Sequence, residues 1–146
     1  MTGTVIALFV TTENSIKKRE QVDSIEFGTE GVKKDKFYAK DSQRSVLITS
    51  IDSYSLSEKN GILLEQGSLG ENILVDINPY HLKAGDQLVI ANTTLEITQN
   101  CTLCKGLTTI DNRLPKLLKN DRGIFAKVVS NPDKVSIGDT VKILNH

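Results

Sequence analysis

Tryptophan is absent from this chain, and only four phenylalanines and three tyrosines are present. A protein that holds single strands by stacking bases on aromatic platforms needs more of them. Neither sign of charge is in excess, with 18 Lys and Arg against 18 Asp and Glu. That balance argues against a phosphate-backbone binder, which needs surplus cations, so no nucleic-acid partner is expected. Long apolar runs are missing too. The longest, Val5–Val10, falls far short of the roughly 20 residues that span a bilayer, and no positively charged segment precedes it. The chain therefore reads as soluble and cytoplasmic, without a membrane partner.

Cysteine is scarce: Cys101 and Cys104 close one short spacing, and there are no others. A small disulfide-stapled secreted scaffold normally carries four, six or eight, so that class is set aside. His81 and the C-terminal His146 are the only histidines. They form no zinc-type pair, which leaves a tetrahedral zinc site short of ligands.

What is present is apolar material for one core. At roughly 100–200 residues per domain, residues 1–146 form a single domain with 38% hydrophobic and 25% charged residues. Strand signals dominate. They cover Thr4–Thr12, Gln21–Phe27, Ser45–Thr49, Asn72–Ile77, Gln87–Ile90, Thr93–Thr98, Phe125–Val129 and Thr140–Leu144. Ala91-Asn92 reads as a tight hairpin turn, with Asn tolerating positive φ. Two helices are expected, Ile51–Lys59 with Ser50 or Asp52 as N-cap and Gly61 as its stop, and a short one over Leu114–Lys119. Ala84–Ile90 and Ile137–Ile143 share an apolar-Gly-Asp-x-apolar-x-Ile pattern, read as a Gly-Asp turn feeding a strand. Glu13–Glu20, polar with one apolar residue, reads as a mobile loop. The sum is a mostly β domain with small α inserts.

Chemistry concentrates in four places. Cys101 and Cys104 follow a strand, and Lys105 behind them favours thiolate; the competing reading makes both of them small buried hydrophobes. Gly67-Ser-Leu-Gly-Glu71-Asn72 can bring backbone close to a ligand and offer an acceptor and an amide, or can be a loop satisfying its own backbone. Lys33, Lys34 and Lys36 with Phe37, Tyr38 and the later Arg44 make the dense basic patch, where one phosphate can be held, although a charge run is usually a solvated face. Arg122, just before the strand Phe125–Val129, is either part of a turn or points into a pocket.

In order, Gly31-Val-Lys-Lys-Asp35-Lys36, Arg44-Ser45-Val-Leu-Ile, Leu69-Gly-Glu71-Asn72-Ile, Leu82-x-Ala-Gly-Asp86, Leu95-Glu-Ile-Thr-x-x-Cys101-x-x-Cys104, Arg122-Gly-Ile-Phe-Ala-Lys-Val and Val135-x-Ile-Gly-Asp139 resemble the MOSC domain (molybdenum cofactor sulfurase C-terminal domain). Two positions depart from the family pattern: Lys34-Asp35-Lys36-Phe37 stands where many members have Gly-Asp-Arg/Lys-His, and Leu103 where stand-alone members often have Pro. The resemblance implies a bent, barrel-like β-sheet and a molybdenum cofactor, Mo-molybdopterin. Cys104 is implied as the metal ligand and catalytic residue. Asn72, Glu71, Arg44, Ser45, Lys36 and Arg122 are implied around the pterin and its phosphate, and Cys101 as a neighbour able to form a disulfide or persulfide with Cys104.

Three functions follow from that resemblance. The first is cofactor binding, with reduction of N-hydroxylated substrates or handling of the cofactor for another enzyme; a separate electron donor is then required, because no haem or iron–sulfur ligand set is present. The second is a sulfur carrier that accepts persulfide sulfur on Cys104 from a separate cysteine desulfurase, with no pyridoxal phosphate site of its own. The third is a non-enzymatic binding or regulatory domain whose cysteines are core residues.

Overall fold

The structure is a computed structural model and describes residues 1–11, 20–102 and 107–144. Its frame is a ring of seven strands. In chain order these are β1 (Thr2–Val10), β5 (Val46–Ser50), β6 (Ile73–Val75), β7 (Gln87–Ile90), β8 (Thr93–Asn100), β9 (Ile124–Ser130) and β11 (Thr140–Ile143). Around the ring the order is β1-β11-β7-β8-β9-β5-β6, and β6 returns to β1. Closure removes the open sheet edges that invite aggregation. Every pairing is antiparallel except β5 with β6. That parallel step needs a crossover, which begins with α1 (Ile51–Lys59).

β1 closes the ring because it is long enough to meet three neighbours. Thr2–Thr4 pair with β11, Val5–Leu8 with β6, and Leu8–Val10 with β2 (Glu20–Val22). A second, three-stranded sheet is made of β3 (Ser24–Gly28), β4 (Gly31–Val32) and β10 (Lys134–Ser136). The expected single strand Gln21–Phe27 is thus two strands in two sheets. Asp23 is the break, and its carbonyl accepts the N–H of Ile137 at 3.2 Å. The expected loop Glu13–Glu20 lies outside the described residues but for its last residue, which opens β2.

Alternation along each strand sorts side chains between the barrel interior and its outer face. Leu8, Val46, Ile48, Ile73, Val75, Ile124 and Ala126 join the central core. Ala7, Phe9 and Leu74 face outward and are covered by Ile51 and Tyr54 of α1. Because both faces of β5 and β6 are buried, those strands read as unbroken apolar runs. A satellite cluster of Ile62, Leu69, Leu107, Leu114 and Leu118 is supplied in part by two four-residue helices, α2 (Leu107–Ile110) and α3 (Leu114–Leu117). Only the second of these was expected from the sequence, and it is shorter than Leu114–Lys119.

Helix α1 has the expected bounds, and its N-cap is Ser50, whose hydroxyl accepts the N–H of Asp52 at 3.1 Å. The two Gly-Asp turns are alike in conformation: Gly85 and Gly138 have φ of +96° and +94°. In each, the Asp carboxylate accepts a backbone N–H three residues earlier, from Lys83 to Asp86 at 2.8 Å and from Ser136 to Asp139 at 2.7 Å. They feed β7 and β11, which are ring neighbours. The Ala91-Asn92 hairpin is present, but positive φ falls on Ala91 (+55°) and not on Asn92. The Asn92 amide is engaged with Asp133 at 3.3 Å.

Ile73 is fully buried in the barrel core where β6 bridges β1 and β5. Ile73→Ala is expected to cost about 2–5 kcal/mol, read as a lower urea midpoint at unchanged slope. A change below about 0.5 kcal/mol, the size usual at surface sites, would contradict this packing.

Candidate functional site

Leu47 and Phe125 alternate with the interior residues of β5 and β9, so they face outward, and buried Cys101 packs against both. This cluster on the outer barrel wall, where the chain leaves β8, is the focus of the site. Gly123 sits against the same wall. A Cβ there would lie 2.9 Å from the Leu47 side chain and 3.0 Å from Thr49 Oγ1, closer than side chains tolerate.

The loop Asp121–Gly123 is held by three successive carbonyls. Asp121 accepts from the Ser53 hydroxyl, Arg122 from Thr49 Oγ1 at 2.9 Å, and Gly123 from the Cys101 N–H at 3.0 Å. Since the Ser53 proton goes to Asp121, the 2.6 Å contact between Ser53 Oγ and Tyr80 Oη is donated by the tyrosine, which itself accepts the Ser50 N–H at 2.8 Å. With its backbone fixed, Arg122 donates through Nε to the Leu69 carbonyl at 3.1 Å. That bond docks the loop onto Leu69-Gly-Glu-Asn72.

Asn72 is buried and its side-chain amide binds two strands at once. Oδ1 accepts the Leu47 N–H at 3.1 Å and Nδ2 donates to the Phe9 carbonyl at 3.3 Å. Its backbone does the same, donating to Leu47 O at 2.9 Å and accepting from Phe9 N–H at 2.8 Å. Both side-chain heteroatoms therefore serve backbone partners, so Asn72 acts on the site by placing Leu47. Glu71 is fully buried. Its Oε2 accepts the Tyr54 hydroxyl at 2.5 Å and the Gly67 N–H at 3.2 Å. Burial, and then the negative charge of Glu71, push the Tyr54 phenol far above its ordinary range, so it remains a donor. Burial likewise pushes Tyr80 up to about 12.

Ser45 is buried, with its hydroxyl on the carbonyls of Ser42 and Ala126 at 3.3 and 3.2 Å. Arg44 is exposed on the 3-10 turn Ser42–Arg44. That turn rests on the end of β8, where Thr98 and Gln99 donate to the Gln43 carbonyl at 2.5 and 3.4 Å, just before Cys101. Lys36 stands apart: its ammonium lies 5.1 Å from the centroid of the Phe37 ring and its N–H donates to Thr11 O at 2.7 Å. Cys104 lies outside the described residues.

Beside Cys101 opens a cleft of about 370 Å³. It is lined by buried Cys101, Leu107 and Leu118, and by Thr102, Pro115, Lys116, Lys119, Asn120 and Arg122. No carboxylate is among these described residues, so the cleft carries positive charge against apolar walls. Sequence reasoning missed Lys116 and Lys119, although their three-residue spacing on an expected helix already placed them on one face. It also missed Thr49, Ser53 and Tyr80, which carry no signal until the fold sets them under the Asp121–Gly123 loop. Among the described residues no cluster of three or more His, Cys, Asp or Glu could hold a bare metal ion. No helix among them is long and apolar enough to cross a membrane.

A family model described as MOSC domain matches residues 24–142. Among solved structures the fold is similar to the YuaD protein of Bacillus subtilis, at TM-score 0.80 and 20% identity over 97% of this chain and 94% of that one. YiiM from Geobacillus stearothermophilus gives 0.69 and 14% over 98% and 73%. YiiM from Escherichia coli gives 0.70 and 18% over 100% and 71%. At such identities the likeness is one of fold. No curated protein matches the sequence.

Asn72→Ala leaves the Leu47 N–H and Phe9 carbonyl without their side-chain partner in a buried setting and is expected to cost about 2–4 kcal/mol in urea unfolding. A loss under about 1 kcal/mol would mean that the bracket is replaceable. For Tyr80, the raised value means that its contribution to stability is whole below pH 10.0, the ordinary value, and declines as pH climbs through about 12. Between those limits the native protein should show less tyrosinate absorbance near 295 nm than its urea-unfolded form, and Tyr80→Phe should narrow the gap. Coincident titration curves would refute this.

Proposed function

The chain belongs to the MOSC domain family, which is associated with molybdenum-cofactor binding and sulfurase-like roles, and on that premise we propose that it binds Mo-molybdopterin on the outer wall of its barrel with the Cys104 thiolate as protein ligand. One observation carries this reading. Residues distant in sequence, Leu69–Asn72, Arg122–Gly123 and Cys101, converge on Leu47 beside a cleft to which Arg122 contributes its guanidinium.

The residues present fit such a ligand. A cofactor of this kind brings dithiolene sulfurs and an anionic phosphate with it. The protein then needs one soft donor and positive charge rather than a full ligand cage, in keeping with the lack of a bare-ion cluster among the described residues. The cleft volume falls within the roughly 300–1,000 Å³ typical of small-molecule sites. Bound there, the group would supply two-electron chemistry suited to reducing N-hydroxylated substrates, with electrons from a separate partner.

The chain's own residues prepare that chemistry. Arg122 is preorganised, because its backbone carbonyl is held by Thr49 and its Nε by the Leu69 carbonyl. A cation whose position is set before the ligand arrives pays little ordering cost on binding. Cys101 is 3% exposed and packed against Leu47 and Phe125, so its role is to anchor the segment that carries Cys104. Asn72 and Glu71 act one layer back: Asn72 sets Leu47, and Glu71 ties Gly67 to Tyr54. Arg44, exposed on its turn beside the end of β8, remains available for the cofactor's phosphate.

Protein purified without chelator from a cofactor-producing host should contain molybdenum near one per chain by plasma mass spectrometry, and Cys104→Ser should lose it. Molybdenum retained by the variant would remove Cys104 as ligand. Molybdenum in neither protein would overturn cofactor binding and favour persulfide transfer on Cys104, checked by a mass gain of about one sulfur atom after incubation with a desulfurase and cysteine.

A further inference from the structure

We propose that Lys116 and Lys119 form an oxyanion seat on the outer wall of the cleft, so that the site takes substrates with an apolar body and a carboxylate or phosphate group. The proposal extends the cofactor reading by naming a class of substrate, and it rests on residues outside the motifs that led to that reading.

The local structure turns both lysines the same way. Leu114 and Leu118 are 0% and 2% exposed and point into the satellite core. Lys116 and Lys119 are exposed and line the cleft together with Arg122. Neither lysine has an acidic partner within salt-bridge distance among the described residues. With no carboxylate lining the cleft, its positive charge is not neutralised from within. Pro115, Leu107 and Leu118 supply apolar surface beside it. Such walls displace water and strengthen the attraction of the cations for an anion.

The cleft lining draws on separate parts of the chain. Both lysines lie on and just after α3, whose core side is fixed by Leu114 and Leu118, whereas Cys101 directly follows β8. An anion held by the lysines would therefore place its apolar body along Leu107 and Leu118, toward Cys101.

The test uses the full-length protein, molybdenum-free from a host blocked in cofactor synthesis and loaded from a producing host. Phenyl phosphate and inorganic phosphate are the anionic probes, and phenol is the uncharged control; binding is read by calorimetry and by amide shifts over residues 115–122. Phenyl phosphate should bind more tightly than either phosphate or phenol. Lys116→Gln with Lys119→Gln should weaken it roughly tenfold, the size expected for losing charge-assisted contacts, while molybdenum content in the loaded protein stays at the wild-type level. Equal binding to wild type and the double variant, or phenol binding as tightly as phenyl phosphate, would overturn the seat. Loss of molybdenum in the double variant would also overturn it as a substrate site, because the lysines would then serve the cofactor's own phosphate. Cys104→Ser should keep phenyl phosphate binding, so failure of the metal reading and failure of the seat are told apart.

Discussion

A single buried amide joins the parts on which this molecule depends. Asn72 sits at the entry to β6, the strand that runs parallel to β5 on one side and antiparallel to β1 on the other. Both ladders begin at Ile73, so Asn72 stands one residue ahead of them, between Leu47 and Phe9. The Asn72 side chain supplies both, an acceptor for Leu47 N–H and a donor for the Phe9 carbonyl. Satisfied in this way, a polar group costs little to bury; left unmatched in the interior, it would be expensive. The seam of the barrel and the position of Leu47, which supports Cys101, therefore share one residue.

From that seam the order passes outward through hydrogen bonds and not through apolar contact alone. Thr49 and Ser53 reach the Asp121–Gly123 loop from β5 and α1, and Tyr80 stands behind Ser53. Tyr54 and Glu71 form a second buried pair around Gly67. Both tyrosines lie on the covered side of the wall, where burial keeps their protons on. A neutral phenol donates one hydrogen bond in a defined direction; as phenolate it would repel Glu71. The scaffold is thus set by neutral donors, and the positive charge is kept for the cleft.

Much of this was legible in the sequence, and the reasons are local. Seven of the expected strands have counterparts in the barrel ring, because alternating or unbroken apolar runs report burial on one face or two. Helix α1 was legible from Ser50 and Gly61, and the paired Gly-Asp turns from their repeated pattern. The split at Asp23 was not read: the alternation of Gln21–Phe27 breaks only at the adjacent polar pair Asp23-Ser24, too slight a signal by itself, and in the fold the Asp23 carbonyl receives the Ile137 N–H where the two strands part. The short strands β4 and β10 were missed for a similar reason, as two or three residues carry too little periodicity to register. For the site, Asn72, Arg122 and Cys101 were picked out as chemistry-bearing residues and do come together. Composition could not tell that the Asn72 amide faces backbone on two strands, or that Lys36 lies over Phe37.

The setting of Cys101 follows from where the wall ends. Cys101 is the first residue after β8, and its N–H still belongs to the barrel through Gly123. Its side chain is enclosed by Leu47 and Phe125 and is 3% exposed, a setting that keeps reagents out. In the proposed reading the thiol for metal or sulfur chemistry is that of Cys104. The same loop that receives the Cys101 N–H also carries Arg122, so the end of the wall and one cation of the cleft are positioned by adjacent peptide units. Any change that loosens Gly123 from the Leu47 wall would move both together, which ties the end of β8 and the electrostatics of the cleft to one close approach of backbone to side chain.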